Sequence, residues 1–315
     1  MHVLLTGGAG FIGSHLLRAF IDHPGIRGIT VVDNLITGQY ENIAEVLDHP
    51  RVTFIQGDIR DYDLCCELCR KSTAICHQAA LGSVPRSIDD PIHTHSHNVD
   101  GTLNLFEAAR QSGIKRIVFA SSSSVYGNHA ALPKVEAVTG IPLSPYAVTK
   151  TVNELYAENY GRLYNMEMIG LRYFNIFGPR QSPRGPYAAV IPLFFRAAVE
   201  GKSPIINGDG TFSRDFTYVD NAVQANLLGL FTTNQDAVNQ NYNIAIGERT
   251  TLTELWDLIS SISGQSLEPI YGPQRAGDIP HSLADISKAR SLLGYEPTVG
   301  IREGLEKLFE YGLDT

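Results

Sequence analysis

Several residue types that mark specialised proteins are scarce in this chain. Four cysteines occur among 315 residues, and Cys65, Cys66 and Cys69 crowd one expected helix while Cys76 follows in the next strand. No partner set lies elsewhere, so the pattern argues against a disulfide framework and for buried, reduced thiols. Long apolar runs are missing too: nothing approaches the roughly 18 residues a membrane-crossing helix needs. The N-terminus carries no charged leader with a hydrophobic run behind it, so a cytoplasmic location and no membrane partner are expected. Positive charge is also in deficit. A formal net charge of -8 leaves no basic surface of the kind that tracks nucleic-acid phosphates, so no nucleic-acid partner is expected and any bound phosphate must be held locally. Disorder is excluded by a hydrophobic content of 43%, and there is no internal repeat or low-complexity tract.

What is present is alternation. Short β-branched runs, Val3 to Thr6, Ile29 to Asp33, Val52 to Gln56, Ala74 to His77 and Ile117 to Ser121, are separated by helical patterns near 11–23, 61–70, 98–112 and 145–164. Continuous apolar strands joined by helical crossovers predict an α/β fold with a Rossmann-type doubly wound parallel sheet. Beyond Tyr173 the regularity breaks into Pro- and Gly-rich stretches with helices expected near 189–200, 220–231, 252–262 and 301–311. The expected division is a dinucleotide-binding domain over 1–175, with a returning segment near 215–245, and a smaller C-terminal substrate-binding lobe over most of 176–315.

Two motifs carry chemistry. Gly7-Gly8-Ala9-Gly10-Phe11-Ile12-Gly13 follows the first strand and opens the first helix. Glycines there permit a tight turn and a close backbone approach to a pyrophosphate, which the helix N-terminus then meets with free amides. Asp33 ends the second strand, where a carboxylate binds ribose hydroxyls and repels a 2′-phosphate, favouring NAD over NADP. The second motif is Tyr146-Ala-Val-Thr-Lys150 behind Ser144 and Pro145. Ser144 suits an N-cap and Pro145 the first helical position, so Tyr146 and Lys150 fall one turn apart on one face. A phenol of ordinary pKa about 10 is a poor base, but the Lys150 ammonium and a nicotinamide cation would both favour its phenolate. His93, His95 and His97 form an HxHxH string, read as a polar start to the next helix; no metal is expected.

Together with Asp58-Ile59, His77-Gln78-Ala79-Ala80, Asn98 and Ser121 to Ser124, these motifs resemble the extended short-chain dehydrogenase/reductases nearly end to end. Tyr173-Phe174-Asn175, Gly178-Pro-Arg180-Gln181, Arg214 to Asp220 and Arg275-Ala-Gly-Asp278 narrow the resemblance to nucleotide-sugar 4-epimerases. That resemblance implies catalytic Ser122, Tyr146 and Lys150. It implies NAD held by Gly7, Gly10, Phe11, Ile12, Gly13, Asp33, Asn34, Asp58, Ile59, Gln78, Ala79, Ala80, Asn98, Tyr146 and Lys150, with Asp58 and Ile59 framing adenine. A UDP-sugar would meet Gly82, Ser83, Ser122, Ser123, Ser124, Tyr146, Asn175, Gln181, Ala189, Arg214, Arg275, Asp278 and Ser282. Dehydratases of the family resemble Thr-Asp-Glu where Ser122, Ser123 and Ser124 stand, so the extra acid and base of an elimination are missing. The small Ser282 would leave room for an N-acetyl group at C2, which implies interconversion of UDP-GlcNAc and UDP-GalNAc. UDP-glucose or UDP-glucuronate 4-epimerisation, and a non-catalytic NAD-binding regulator, are the alternatives. Helices near 98–112 and 145–164 would pair in a homodimer, although their apolar faces could equally be buried within one subunit.

Overall fold

The computed structural model describes residues 1–183, 188–274 and 279–312. Its centre is a seven-stranded parallel sheet made from β1 (His2–Thr6), β2 (Gly28–Asp33), β3 (Val52–Gln56), β4 (Ala74–His77), β5 (Arg116–Ser122), β6 (Glu167–Tyr173) and an edge strand, Gln240–Ile244. Spatial order runs edge strand, β6, β5, β4, β1, β2, β3. Alternate side chains of a strand point to opposite faces, and both faces here are covered. Val3, Leu5, Val31 and Val118 meet Leu16, Leu17 and Phe20 of the helix Phe11–Asp22, together with Ala222, Ala225 and Leu230 of the helix Val219–Phe231. Leu4, Val32, Ile75 and Ile117 meet the opposite layer, built from Leu68 and Cys69, Leu105 and Phe106, and Ala157 and Tyr160. All four thiols are buried and free, and burial pushes Cys65, Cys69 and Cys76 up to about 12, which leaves them unreactive.

Two strands are additional to the five read from the sequence. β6 carries Glu167 and Arg172, and the edge strand reads Gln-Asn-Tyr-Asn-Ile, so neither looks like a buried apolar run. Their polar groups are satisfied by a neighbouring strand and by segments outside the sheet. Arg172 donates to both carboxylate oxygens of Glu154 at 2.9 and 2.8 Å, Arg116 pairs with Glu167, and Asn243 donates to the carbonyls of Lys134 and Asp285. The expected helix near 98–112 begins as a π turn, Ser96–Asp100, before the α-helix Gly101–Gln111. A third apolar cluster gathers Phe177, Phe194, Phe195, Tyr218, Leu255, Trp256 and Leu305 from the C-terminal part of the chain. The helix Val219–Phe231 packs on the sheet and the edge strand pairs with β6, although both follow residues of that cluster in the chain.

Strand order reverses between β1 and β4, so the crevice beyond their C-terminal ends is the natural ligand position of the sheet.

Candidate active site

That crevice is walled by the glycine loop. Gly7 has φ +69°, and a Cβ on it would lie 2.6 Å from the Ala79 amide nitrogen, so only glycine fits between β1 and the loop after β4. A Cβ on Gly13 would overlap the Gly7 carbonyl, which fixes how closely the helix crosses the loop. Phe11 and Ile12 open that helix, and no side chain caps it, so its first amides remain available to an anion. Asp33 ends β2 with its oxygens accepting from the amides of Ala9 and Leu35, both at 2.9 Å. Burial pushes its carboxyl up while those amides pull it down. The cleft is lined by Gly7, Gly10, Asp33, Asn34, Ile59, Gln78, Ala79 and Ala80. Asn34 donates to Asp58 at 2.9 Å; burial opposes the Asp58 charge, but hydrogen bonds from Arg60 and Asn34 win and hold it well below the usual carboxylate range.

Asn98 ties the cleft to the next element. Its side chain accepts from the Leu81 amide at 2.7 Å and donates to the Leu81 carbonyl and to Thr149, both at 3.1 Å. Thr149 donates in turn to the carbonyl of Tyr146. The helix Pro145–Tyr164 starts as expected, with the Ser144 hydroxyl accepting from the Ala147 amide at 3.2 Å. Tyr146 therefore sits in the first turn, near enough to Ser122 at the end of β5 for that hydroxyl to act on its phenol. Lys150 lies on the same face, its ammonium 5.9 Å from the centre of the Tyr146 ring and donating to the Ala120 carbonyl at 2.8 Å. One expectation changes here. Burial pushes the Tyr146 phenol up, with only the Ser122 hydrogen bond opposing, and burial lowers Lys150 to about 8. The chain's own groups thus hold a neutral phenol; the Lys150 charge is turned toward a carbonyl rather than onto the hydroxyl.

The positions expected on the sugar side lie in several loops, each with its own local contacts. A Cβ on Gly82 would meet nothing within 4 Å, and Ser83, at φ +132°, caps the short helix Val84–Asp89 by accepting from the Arg86 amide. Ser123 and Ser124 form the turn after β5, where the Ser124 hydroxyl is buried without a partner. Gln181 donates to the Ile176 carbonyl, and Ala189 stands just before the helix Val190–Val199. Asn175, at φ +38°, donates to the Asp215 carbonyl. Arg214 donates to the carbonyls of Ser213 and Pro280, and the Ser282 amide donates to Ser213. Arg214 and Ser282 are thereby brought together through Ser213. Arg275 and Asp278 lie outside the described residues.

Two residues acquire a place that the sequence reading did not give them. Asp215 is fully buried, and its carboxylate accepts from the amides of Ile246, Gly247 and Ala284 between 3.1 and 3.2 Å, against a burial that pushes it up to about 7. An aspartate directly ahead of the largely apolar Phe-Thr-Tyr-Val stretch was the available signal. His97 lines the cofactor cleft, whereas the sequence showed it only as the last member of a histidine string. Among the described residues no group of histidine, cysteine or carboxylate side chains is placed to hold a metal, and no helix is long and apolar enough to cross a membrane.

Comparison with known proteins adds to this geometry. Residues 3–245 match the model of the NAD dependent epimerase/dehydratase family. A UDP-glucose 4-epimerase from Mycolicibacterium smegmatis is 38% identical over 314 residues, covering 99% of this chain and 98% of the relative. The structure of a UDP-N-acetylglucosamine 4-epimerase from Methanobrevibacter ruminantium, in complex with UDP-N-acetylmuramic acid, is 38% identical with a TM-score of 0.93, covering 98% and 97% of the two chains. A UDP-glucuronic acid 4-epimerase from Bacillus cereus, in complex with UDP-glucuronic acid and NAD, is 32% identical with a TM-score of 0.91, covering 99% and 98%.

Proposed function

The chain belongs to the NAD dependent epimerase/dehydratase family, and from that membership we propose that it is an NAD-dependent UDP-sugar 4-epimerase whose preferred pair is UDP-GlcNAc and UDP-GalNAc. The observation that carries the reading is the convergence of Ser122, Tyr146 and Lys150 at the end of β5, beside a cleft bounded by the glycine loop and Asp33. The residues fit NAD: the close approach of Gly7 to Ala79 opens a backbone cradle, and the carboxylate of Asp33 stands where ribose hydroxyls bind. NAD held there would supply reversible hydride acceptance at C4 of the sugar.

The chain's residues manage the proton and the position. Tyr146 takes the C4 hydroxyl proton and returns it when the ketone is reduced, with Ser122 holding the same oxygen. Its neutral phenol is ready to donate; acting as base requires positive charge delivered on the cofactor side of the ring. Lys150 binds the cofactor ribose, and Arg214, with Arg275, holds the diphosphate while the hexose turns over. Ser122, Ser123 and Ser124 offer hydroxyls and no carboxyl, which favours epimerisation over elimination. The N-acetyl preference rests on Ser282, whose small side chain neighbours the Arg214 strand. The four buried, free thiols favour a reducing, cytoplasmic setting.

The test presents UDP-GlcNAc, UDP-glucose and UDP-glucuronate separately to purified protein without added NAD and follows the anomeric NMR signals. UDP-GlcNAc should convert fastest. Replacing Ser282 with tyrosine fills the acetamido volume, and overpacking of that kind costs roughly 1 to 3 kcal/mol. Ser282→Tyr should therefore depress kcat/KM for the N-acetylated sugars relative to UDP-glucose; an unchanged ratio in folded, NAD-loaded protein removes the main support for the N-acetyl assignment.

A further inference from the structure

We propose that His97 reads the cofactor's base: its Nε2 accepts a hydrogen bond from the exocyclic amine of adenine, alongside Asp58, and so selects a 6-amino purine over a 6-oxo purine. The inference rests on the NAD reading above and concerns a residue outside the motifs that carry it.

The direction of its hydrogen bonds settles which nitrogen is free. His97 Nδ1 lies 2.9 Å from the carbonyl oxygen of His93, one turn earlier. A carbonyl can only accept, so the ring proton is on Nδ1. Burial lowers the pKa of His97, and Arg60 and His93 push the same way, against the His93 carbonyl bond and the more distant Asp58; the ring is neutral and Nε2 carries a bare lone pair. That atom is buried and has no hydrogen-bond partner, in a residue only 6% exposed that lines the cofactor cleft. Buried acceptors are rarely left unmade, because each forfeits the full cost of its desolvation.

The neighbour of this lone pair defines its partner. Asp58 Oδ2 is 3.9 Å away, and Asp58 is held ionised by Arg60 and Asn34. Asp58 Oδ2 already accepts from Asn34 and Arg60 while the Nε2 lone pair accepts from nothing, so the two still repel across that gap unless a donor comes between them. An aromatic primary amine brings two N–H groups in one plane and can serve both. A 6-oxo group brings a third acceptor to the same place. The pair therefore favours adenine for an electrostatic reason that neither residue supplies alone.

The test is a competition. Protein in mild urea is exchanged against an equimolar excess of NAD and nicotinamide hypoxanthine dinucleotide, refolded, and freed of unbound nucleotide; the bound pair is then released and quantified by mass spectrometry. Wild-type protein should retain mainly NAD. His97→Phe, which keeps the ring and removes the lone pair, should lower the NAD preference roughly tenfold, the size of one net hydrogen bond. His97→Gln, able to turn an N–H toward a 6-oxo group, should lower it further. An unchanged ratio in folded His97→Phe overturns the assignment. So does equal retention of the two dinucleotides by wild-type protein, which needs no variant to fold. Retention of neither by the wild type would overturn the NAD reading itself.

Discussion

Tyr146 is held in the first turn of its helix by two local devices, the Ser144 cap and the Pro145 start. Each is short-range, which is why the residue could be identified from the sequence. Its protonation could not. The ammonium of Lys150 is close to the ring but is spent on the Ala120 carbonyl, so burial dominates and the phenol is raised. Tyr146→Phe removes the proton carrier while leaving Lys150, Asp33 and the glycine loop in place. Epimerisation should fall by about 10² to 10⁴-fold, the usual contribution of a positioned acid or base, with NAD still recovered from the denatured variant in wild-type amount. Turnover within a few-fold of wild type would remove Tyr146 from the proton-transfer role. His97 illustrates the opposite limit of reading residues in order: its use depends on an approach to Asp58 across nearly forty positions, which no local pattern announces.

Elements were legible where their own ends specify them. The helices Pro145–Tyr164, Leu252–Ser263 and Ile301–Tyr311 fall where periodicity and caps put them, the second with a capping box between Thr251 and Glu254. β6 and the edge strand were hidden because Arg172 and Asn243 are polar residues whose partners, Glu154, Lys134 and Asp285, come from distant segments. Asp215 belongs to the same class and has the larger structural consequence. Its two oxygens accept separately, one from Ile246 and the other from Gly247 and Ala284, while its backbone carbonyl receives Asn175. The loop after the edge strand is thus fixed to both Arg214 and the segment behind Ser282. Asp215→Asn offers one acceptor oxygen and must turn an amide N–H₂ against a backbone donor. Leaving such a buried donor unmet costs about 1 to 3 kcal/mol. Urea unfolding should show a loss of that size, together with a raised KM for the UDP-sugar; a variant with wild-type stability would mean that the loop is held by other contacts.

At the scale of the whole molecule, the helix Pro145–Tyr164 has two faces with different uses. One carries Lys150, Glu154, Ala157 and Tyr160 inward, to the site and to the sheet. The other leaves Val148, Leu155 and Leu163 exposed, seven and eight residues apart and hence along one stripe. Ile88 and Ile92, the latter 82% exposed, add apolar surface from the short helices Val84–Asp89 and Pro91–His95 that lie against this helix. With a net charge of -8 on the chain, an apolar stripe is the part of its surface suited to meeting a second copy, because burying it removes hydrocarbon from water without bringing like charges together. A two-fold arrangement would set the stripe against itself, as closed homo-oligomers require. The reading predicts that the wild-type protein runs as a dimer in light scattering. Val148→Glu with Leu155→Glu would place four carboxylates across the two-fold axis and should give a monomer that still retains NAD, since both side chains point away from the cleft residues of the same helix. A monomeric wild type, or a doubly substituted protein that keeps the dimer mass, would show that this stripe is not the contact between subunits.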